Sequence, residues 1–366
     1  MRILQIGMGN VAGGLEAFVM NYYRVLVHMD VQFDFVCMYD KIAYEEEIQA
    51  LGGQIYYVPN VKKDYRGYVT GLKRILKDHE YEAVHVNMLS AANIVPLRIA
   101  HKMGVKKVIA HSHSSSCPGL LRKTMDRWNR PKIARYATDR VACGELAGKW
   151  LFGEAAFANG EVMIINNAID TGKFAFSDEK RQKIREGLGW QEKLVIGHVG
   201  RFDIPKNHDR MIDMLSSIAE QEKRAVLCLI GPKEGLYEQI QAKVQAKGLE
   251  EHVYFAGKQK DIPAYLSAMD AFLFPSLFEG VPFALIEAQA NGLPCILSDA
   301  VSEEAVIFPE TVKRLSLETE DSRWAQTLLQ ISKARRMDSG LIKKCLEERH
   351  FDIVKEAQHL KRLYEE

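Results

Sequence analysis

Short apolar runs alternate with amphipathic stretches from one end of the chain to the other. The apolar runs are rich in β-branched and aromatic residues, which predicts buried strands, and the stretches between them have helical spacing. Strands are predicted at residues 2–6, 32–38, 54–58, 82–88, 107–111, 140–143 and 162–165, and again at 194–200, 225–231, 253–258, 271–276 and 294–299. This alternation predicts an α/β fold in which helices cover both faces of parallel sheets.

The strand series restarts after a linker-like segment at residues 166–181. A chain of 366 residues is also long for a single hydrophobic core and suits two domains. We therefore predict one Rossmann-like domain over residues 1–168 and a second over residues 169–350. The last segment, 351–366, is helical by pattern.

Composition is typical of a soluble globular protein, with 47% hydrophobic residues, 27% charged residues and a net charge of +1. The six cysteines have no C-x-x-C spacing, so neither a disulfide nor a zinc site is expected. No apolar run approaches the roughly 18 residues that a membrane-spanning helix needs. We therefore expect a cytoplasmic protein.

The stretch from Pro275 to Asp299 carries two carboxylates, Glu279 and Glu287, eight residues apart. The apolar runs on either side predict that Glu279 lies on a strand-to-helix loop and Glu287 about two helical turns further on. Loops at the carboxyl ends of parallel strands are where open α/β sheets bind ligands. The setting of this pair, P-S-x-x-E-G-x-P followed by E-A and G-L-P, resembles the donor site of retaining glycosyltransferases of family 4, which have the GT-B fold.

The resemblance covers essentially the whole chain. It implies two Rossmann-like domains with a cleft between them, and a final helix that crosses back onto the first domain. It also implies that Glu279 accepts hydrogen bonds from the donor sugar and favours an oxocarbenium-like transition state, while Glu287 accepts from the ribose hydroxyls. Backbone N–H groups after Gly280, near Phe283 and Ala284, would then meet the β-phosphate.

Arg201 and Lys206 lie five residues apart in a loop that follows the first strand of the second domain. Two cations, together with the helix that begins after them, can stabilise the negative charge that develops on a diphosphate leaving group. The chain has no D-x-D motif, so we expect catalysis without a metal ion or other cofactor. In the family, positions that match Gly231 and Lys258 line the nucleotide pocket.

The glycine-rich segment after the first strand has two interpretations. Residues 7–12 fit the dinucleotide fingerprint G-x-G-x-x-A, and Asp34 or Asp40 could then bind the ribose. Alternatively, Gly13 and Gly14 form a loop without side chains at the start of a helix. The family has such a glycine pair near the donor phosphates and the acceptor.

Two histidines, His111 and His113, lie where the fifth predicted strand leaves the sheet. The family carries a histidine at this exit, close to the transferred sugar, and His113 matches its position better than His111. The doublet leaves the assignment open by two positions. A role limited to hydrogen bonding is the alternative for either ring.

Between Arg98 and Arg140 the chain has eleven Lys and Arg residues and only two acids. The basic residues are mixed with leucine, methionine and tryptophan, a composition that suits an anionic membrane surface. The residues predicted to contact the membrane or the acceptor are Arg122, Lys123, Arg127 and Arg130. The alternative is a solvated helix face, and no nucleic-acid partner is expected because aromatic residues lack stacking spacing.

Taken together, the residues and the resemblance predict a metal-independent, retaining hexosyltransferase. Its donor would be a nucleotide diphosphate sugar, a UDP-sugar in particular. Its acceptor would be a lipid-linked or growing glycan of a bacterial exopolysaccharide or capsule, at the inner face of the plasma membrane. The alternatives are a nucleotide-sugar epimerase on the same fold and a non-catalytic nucleotide-sugar-binding protein.

Overall fold

The computed structural model describes residues 1–117 and 119–366 and divides into two compact units. Unit 1 consists of Met1–Ala168 and Asp352–Glu366, and unit 2 consists of Ile169–Phe351. The first division therefore falls at the residue where the second domain was predicted to begin. The C-terminal segment groups with unit 1 from Asp352, one residue after its predicted start.

Unit 1 contains a parallel sheet with helices between its strands. In chain order its strands are β1 (Arg2–Ile6), β2 (Gln32–Cys37), β3 (Ile55–Tyr57), β4 (Ala83–Met88), β5 (Lys107–Ser112), β6 (Asp139–Ala142) and β7 (Met163–Ile164). Its helices before the division are α1 (Gly14–Leu26), α2 (Glu45–Ala50), α3 (Tyr65–Asp78), α4 (Val95–Lys102), α5 (Leu120–Tyr136), α6 (Glu145–Phe152) and α7 (Glu154–Ala158). The strand order is β3-β2-β1-β4-β5-β6-β7.

Unit 2 repeats this architecture. Its strands are β8 (Leu194–Val199), β9 (Ala225–Ile230), β10 (Val253–Gly257), β11 (Ala271–Phe274), β12 (Cys295–Ser298) and β13 (Val312–Leu315). Its helices are α8 (Thr171–Phe174), α9 (Asp178–Leu188), α10 (His208–Gln221), α11 (Tyr237–Ala246), α12 (Ile262–Ala268), α13 (Phe283–Ala290), α14 (Asp321–Ile331) and α15 (Ser339–Glu348). The strand order is β10-β9-β8-β11-β12-β13, again all parallel.

The last helix, α16 (Ile353–Glu365), belongs to unit 1 and packs against α1. The side chain of Asp352 caps it by accepting hydrogen bonds from the N–H groups of Val354 and Lys355. Its buried face recurs at helical spacing and consists of Ile353, Glu356, Ala357, Leu360, Leu363 and Tyr364. This face places a polar residue, Tyr364, inside unit 1.

Burial on both faces explains why the strands could be predicted. All six residues of β9 are buried, and alternate residues pack into the two hydrophobic cores on opposite faces of the sheet. All twelve predicted strands are present, and β3, β7, β11 and β12 are each two residues shorter than predicted. The thirteenth, β13, was missed because it pairs only with β12 at the sheet edge and reads Val-Lys-Arg-Leu, with a single buried residue.

The strand order reverses between β1 and β4 in unit 1 and between β8 and β11 in unit 2. In open α/β sheets, the crevice outside the carboxyl ends of the strands at such a reversal is the usual ligand site. The loops that follow these four strands therefore mark where each unit can bind a ligand. They carry Gly13, Arg201, Lys206, Glu279 and Gly280 of the residues selected from the sequence.

Candidate functional site

The loops after β8 and β11 in unit 2 are joined directly by hydrogen bonds. The Leu277 N–H donates to the Pro205 carbonyl at 2.8 Å, and the Asn207 side-chain amide donates to the Pro275 carbonyl at 2.9 Å. Asn207 has the left-handed conformation, with φ of 58°, immediately before α10 begins. Asparagine tolerates this conformation better than most residues. The two loops thus form one connected rim where the strand order reverses.

Lys206 and Glu279 meet across this rim. The Lys206 Nζ lies 2.6 Å from Glu279 Oε1, and the side chains are only 18% and 20% exposed. The ammonium group also lies 5.1 Å from the centre of the Phe274 ring. The Glu279 carbonyl accepts from the Ser302 N–H at 3.0 Å, which ties its backbone to the chain after β12. The cation predicted for the diphosphate and the carboxylate predicted for the sugar therefore form an ion pair.

Arg201 is placed differently from Lys206. Its side chain is 56% exposed, and its guanidinium pairs with Asp203 two residues later, at 3.1 Å. An exposed ion pair of this kind contributes little to stability, so the side chain can leave it at low cost. The structure thus brings Lys206, but not Arg201, into contact with Glu279.

The N-terminus of α13 is open to an anion. The helix begins at Phe283, its N-cap residue is Pro282, and no side chain caps it. The N–H groups of Phe283 and Ala284 have no hydrogen-bond partner within the described ranges 1–117 and 119–366. Unpaired N–H groups at the start of a helix bind phosphate oxygens well. Gly280 precedes them with open space around its Cα.

Glu287 lies in the second turn of α13 and is half-buried. Burial raises the pKa of its carboxyl group to about 7, and the positive charge of Lys173 partly offsets the shift. Hydroxyl groups that donate to the carboxylate would favour its charged form. The site around Glu287 is therefore suited to a neutral polyol such as a ribose ring.

Gly231 and Lys258 follow β9 and β10. The Gly231 N–H donates to the Gly257 carbonyl at 3.1 Å, and a Cβ atom at position 231 would lie 2.1 Å from the Gly200 carbonyl oxygen. Close packing of the strand-end loops therefore requires glycine at this position. Lys258 is exposed next to these loops, and its role in nucleotide binding stays a prediction.

The glycine loop of unit 1 is organised by a carboxylate. Gly13 is the N-cap residue of α1, which begins at Gly14. The Glu16 side chain, only 8% exposed, accepts from the Gly9 N–H at 2.8 Å. Gly7 has φ of 122° and touches the backbone of Asn87 so closely that a Cβ atom would lie 2.1 Å from its carbonyl oxygen. The loop is therefore held by the protein itself.

The dinucleotide interpretation of this loop is not supported for Asp34, the first of its two candidate ribose acids. Asp34 is fully buried in β2, where it pairs with Arg2 at 2.7 Å and accepts from the Gln54 N–H at 3.1 Å. The hydroxyl of Tyr81 donates to the same carboxylate at 2.9 Å. Asp34 thus stabilises unit 1 and has no free oxygen directed at a ribose.

The two predicted histidines occupy different environments. His111 is fully buried in β5, and its Nδ1 lies 2.9 Å from Nε2 of His85. His113 is half-buried, and its Nε2 lies 2.9 Å from Oδ1 of Asn87. Burial, with a contribution from His85, lowers the pKa of His113 to about 3. This geometry favours His113 as the histidine that a ligand can reach, and it keeps the ring neutral.

His85 and Asn87 were missed from the sequence although a signal was present. They are the two polar residues in the apolar strand Ala-Val-His-Val-Asn-Met, and their spacing of two places both side chains on one face. Their partners Gln5 and Tyr364 lie too far away in sequence for any spacing argument.

The chain is similar to known proteins along its whole length. The family profile described as "Glycosyl transferases group 1" matches residues 180–345, and the profile "Glycosyltransferase Family 4" matches residues 12–173. The "Putative glycosyltransferase EpsF" of Bacillus subtilis (strain 168) is 33% identical over 99% of this chain and 96% of that protein. The chain belongs to the group 1 glycosyltransferases. The predicted glycosyltransferase family is therefore confirmed, and the retaining mechanism stays a prediction.

Other similarities of this glycosyltransferase extend along most of the chain. The "UDP-Gal:alpha-D-GlcNAc-diphosphoundecaprenol alpha-1,3-galactosyltransferase" of Escherichia coli is 26% identical over 82% of this chain and 79% of that protein. The crystal structure of Alr3699/HepE of Anabaena in complex with UDP-glucose superposes with a TM-score of 0.78 at 18% identity, covering 99% of this chain and 98% of that chain. This likeness confirms the predicted GT-B fold.

The four basic residues predicted to contact the membrane lie on α5, and they divide into two groups. The Arg130 guanidinium pairs with Asp126 at 2.5 Å and stacks 4.1 Å from the centre of the Trp150 ring, so it is used within unit 1. The Arg122 Nε donates to Ser90 at 3.2 Å. Lys123 and Arg127 are exposed. No described helix is both long and apolar enough to cross a membrane.

The exposed face of α5 also carries large apolar side chains. They are Leu120 at 83% exposure, Leu121 at 76%, Met125 at 46% and Trp128 at 73%. On the opposite face, the buried Asp126 accepts from the Ala91 N–H at 2.7 Å and anchors the helix to the chain after β4. One face of the helix is thus anchored to unit 1, and the other exposes both apolar side chains and cations.

Proposed function

We propose that this glycosyltransferase transfers a hexose-type sugar from a UDP-sugar to a hydroxyl group of a lipid-linked or growing glycan, with retained anomeric configuration. The product would be part of a bacterial surface polysaccharide. The observation that carries the proposal is the Lys206–Glu279 pair, which lies at the strand reversal of unit 2. The E. coli relative named above supports a UDP-sugar donor and a diphosphate-linked lipid acceptor.

The donor diphosphate would replace Glu279 as the partner of Lys206. Its oxygens would also accept from the free N–H groups at the start of α13, and Arg201 would turn from Asp203 to join them. Glu279, released from the lysine, would then accept from sugar hydroxyls. Its charge would favour the positive charge that develops on the sugar ring.

Transfer then needs no protein nucleophile. The bond from the anomeric carbon to the β-phosphate oxygen breaks, and the acceptor oxygen forms its bond to that carbon on the same face. The acceptor proton passes to the departing phosphate, so the products are a glycoside and UDP. Lys206, Arg201 and the helix N-terminus together take the role that a metal ion has in other transferases, and we propose catalysis without a metal.

The acceptor would reach the enzyme at a membrane. The outer face of α5 combines Lys123 and Arg127 with exposed leucine and tryptophan side chains. Such a face suits the anionic inner leaflet of the plasma membrane. A lipid-linked glycan is held in that leaflet, so peripheral binding would bring enzyme and acceptor together.

A donor screen tests the proposal. Purified enzyme is incubated with individual UDP-sugars and GDP-sugars in the presence of EDTA, with and without lipid-linked glycans, and the products are followed by NMR. We expect UDP release that depends on one UDP-sugar and on acceptor, and a product with the donor's anomeric configuration. Inversion, or no turnover with any donor, would contradict the proposal. Release of free sugar without acceptor would favour an epimerase-type reaction.

A further inference from the structure

Behind His113, a network of buried polar side chains crosses the sheet of unit 1. Its members come from β1, β4, β5 and α16, and none is more than 4% exposed; they are Gln5, His85, Asn87, His111 and Tyr364. A buried polar group without a partner costs free energy, so these side chains fix one another's orientation. The network ends at His113, which is only half-buried.

One branch of the network links Asn87 to the C-terminal helix. The Asn87 Nδ2 lies 2.9 Å from Gln5 Oε1, and the Gln5 Nε2 lies 3.2 Å from the hydroxyl oxygen of Tyr364. That hydroxyl lies 2.7 Å from Nδ1 of His85. Because the tyrosine oxygen accepts from Gln5, its own hydrogen is available to His85.

The second branch consists of three histidines whose rings are in contact. His85 Nε2 lies 2.9 Å from His111 Nδ1, and the rings of His111 and His113 lie with centres 4.0 Å apart and planes tilted by 30°. Burial lowers the pKa of all three imidazoles. With Nδ1 accepting from Tyr364, His85 donates through Nε2 to His111. The three rings are therefore neutral. Which nitrogen of each ring carries the hydrogen depends on the direction in which the hydrogen bonds of the network run from donor to acceptor.

An acceptor-only group sets this direction. The backbone carbonyl oxygen of Ile6 lies 3.5 Å from the Asn87 side-chain nitrogen, and a carbonyl can only accept. The amide nitrogen of Asn87 therefore faces Ile6 and Gln5, and its oxygen faces His113. Since that oxygen cannot donate, Nε2 of His113 must carry the hydrogen of their 2.9 Å bond.

The other ring nitrogen of His113 is then a free acceptor. Nδ1 has no hydrogen-bond partner in the part of the chain that the structure describes. A neutral ring of fixed tautomer offers one lone pair, which can accept from a substrate hydroxyl. The opposite tautomer would offer a donor in the same place and would reverse this recognition.

We propose that Asn87 is a positioning residue that holds His113 as the Nε2–H tautomer, and that Gln5 and Tyr364 fix the orientation of the Asn87 amide. The inference rests on the proposed function in one respect, that His113 contacts the substrate. Tyr364 is buried in the last turn of α16 and acts only through the network. The C-terminal helix would thus contribute to the chemistry of a residue that lies just after the end of β5.

The first test reads the tautomer in the free protein. Nitrogen NMR of histidine-labelled enzyme distinguishes protonated from unprotonated ring nitrogens, and the His113→Asn variant assigns the His113 signals. We expect a protonated Nε2 and an unprotonated Nδ1. In Asn87→Asp, both nitrogens should become protonated, since a carboxylate at the same distance favours imidazolium. A wild-type ring protonated at Nδ1 would overturn the proposal.

The second test separates positioning from folding. Tyr364→Phe removes the hydroxyl that orients Gln5, whereas the control Tyr68→Phe removes another buried hydroxyl of unit 1, one that is bonded to Asn93. Both variants should lower Tm. Only Tyr364→Phe should give a mixture of His113 tautomers and lower kcat, by about fivefold, the effect of one lost hydrogen bond.

The outcomes are distinguishable even if one variant fails to fold. Equal kcat values and a single unchanged tautomer in Tyr364→Phe would overturn the role of the C-terminal helix. If Asn87→Asp is unfolded, the wild-type and Tyr364→Phe spectra still show whether the network holds His113 as the Nε2–H tautomer. An enzyme without glycosyl transfer but with the expected spectra would contradict the proposed function and leave the network intact.

Discussion

The two sheets carry polar residues at the same topological position but use them in opposite ways. At the strand reversal of unit 1, neutral side chains are buried and hydrogen-bonded to one another, and only Nε2 of His111 has no partner among the described residues. At the reversal of unit 2, Lys206 and Glu279 are charged, partly exposed and paired only by a 2.6 Å contact. A buried neutral network resists rearrangement, whereas a charged pair at a rim can exchange partners when an anion arrives. Unit 1 thus presents a histidine, His113, whose orientation is fixed before substrate binds. Unit 2 presents an ion pair whose partners the substrate can exchange.

The largest effect on turnover is expected from substitution of Glu279 in unit 2. Glu279→Gln keeps the shape of the side chain but removes the charge that would stabilise the transition state. We expect kcat to fall by about 1,000-fold, the upper range for the loss of one preorganised electrostatic group. Initial rates of UDP release measure the change. Glu303→Gln, which alters an exposed surface pair with Arg314, is the matched control and should keep wild-type turnover.

Substitution of the two cations of unit 2 should have the next largest effect on activity. Lys206→Ala and Arg201→Ala should each cost about 2 to 4 kcal/mol in kcat/KM, because each group would stabilise charge on the leaving diphosphate. Lys243→Ala removes a surface lysine paired with Asp209 and Asp213 and is the control. EDTA should leave turnover unchanged. A strict Mg²⁺ requirement combined with normal kinetics of Arg201→Ala would refute the role given to the cations.

The two cations and Glu279 were selected from the sequence, but the contact between Lys206 and Glu279 was not predicted. Lys206 and Glu279 lie 73 residues apart, and only the cross-bonded loops after β8 and β11 bring them together. The strands were predictable because parallel strands are buried on both faces and read as continuous apolar runs. The polar edge strand β13 lacks that signal.

The histidine doublet shows a different limit of sequence reasoning. His111 and His113 are two residues apart, so strand alternation assigns both to the same face. What separates them is that β5 ends at Ser112, which leaves His111 inside the sheet and His113 beyond it. The end of a strand depends on its neighbours. It cannot be located to one residue from an apolar run.

An intermediate effect is expected on the outer face of α5, which belongs to neither strand reversal. Neutralising Lys123 and Arg127 together should weaken binding to anionic vesicles about 30-fold, since each charge contributes about 1 kcal/mol. Vesicle sedimentation at low salt measures this, and 0.5 M salt should weaken wild-type binding similarly. UDP release with a soluble acceptor glycan should not change. The Arg130→Gln variant is a contrasting case, because Arg130 is already paired with Asp126. Wild-type protein that ignores anionic vesicles would show α5 to be a solvated face.

A smaller effect concerns pH and Glu287. Its folded pKa of about 7 lies above the usual value for glutamate, so the carboxylate that would accept from ribose hydroxyls forms only as pH rises through 7. Affinity for UDP should therefore increase about tenfold between pH 6 and pH 8, following the ionised fraction. Calorimetry on Glu287→Gln should show weaker binding without this pH dependence. A flat profile for the wild type would exclude Glu287 from the ribose site.

The central claim is that the diphosphate replaces Glu279 as the partner of Lys206, and UDP affinity tests it most directly. Isothermal titration of UDP into wild type, Glu279→Gln, Lys206→Ala and the double variant forms a complete cycle. We predict that Glu279→Gln binds UDP about threefold more tightly than wild type, because Lys206 no longer has a competing carboxylate. The double variant should bind as weakly as Lys206→Ala. Weaker binding by Glu279→Gln would contradict the exchange, because the carboxylate would then assist the nucleotide rather than compete with it.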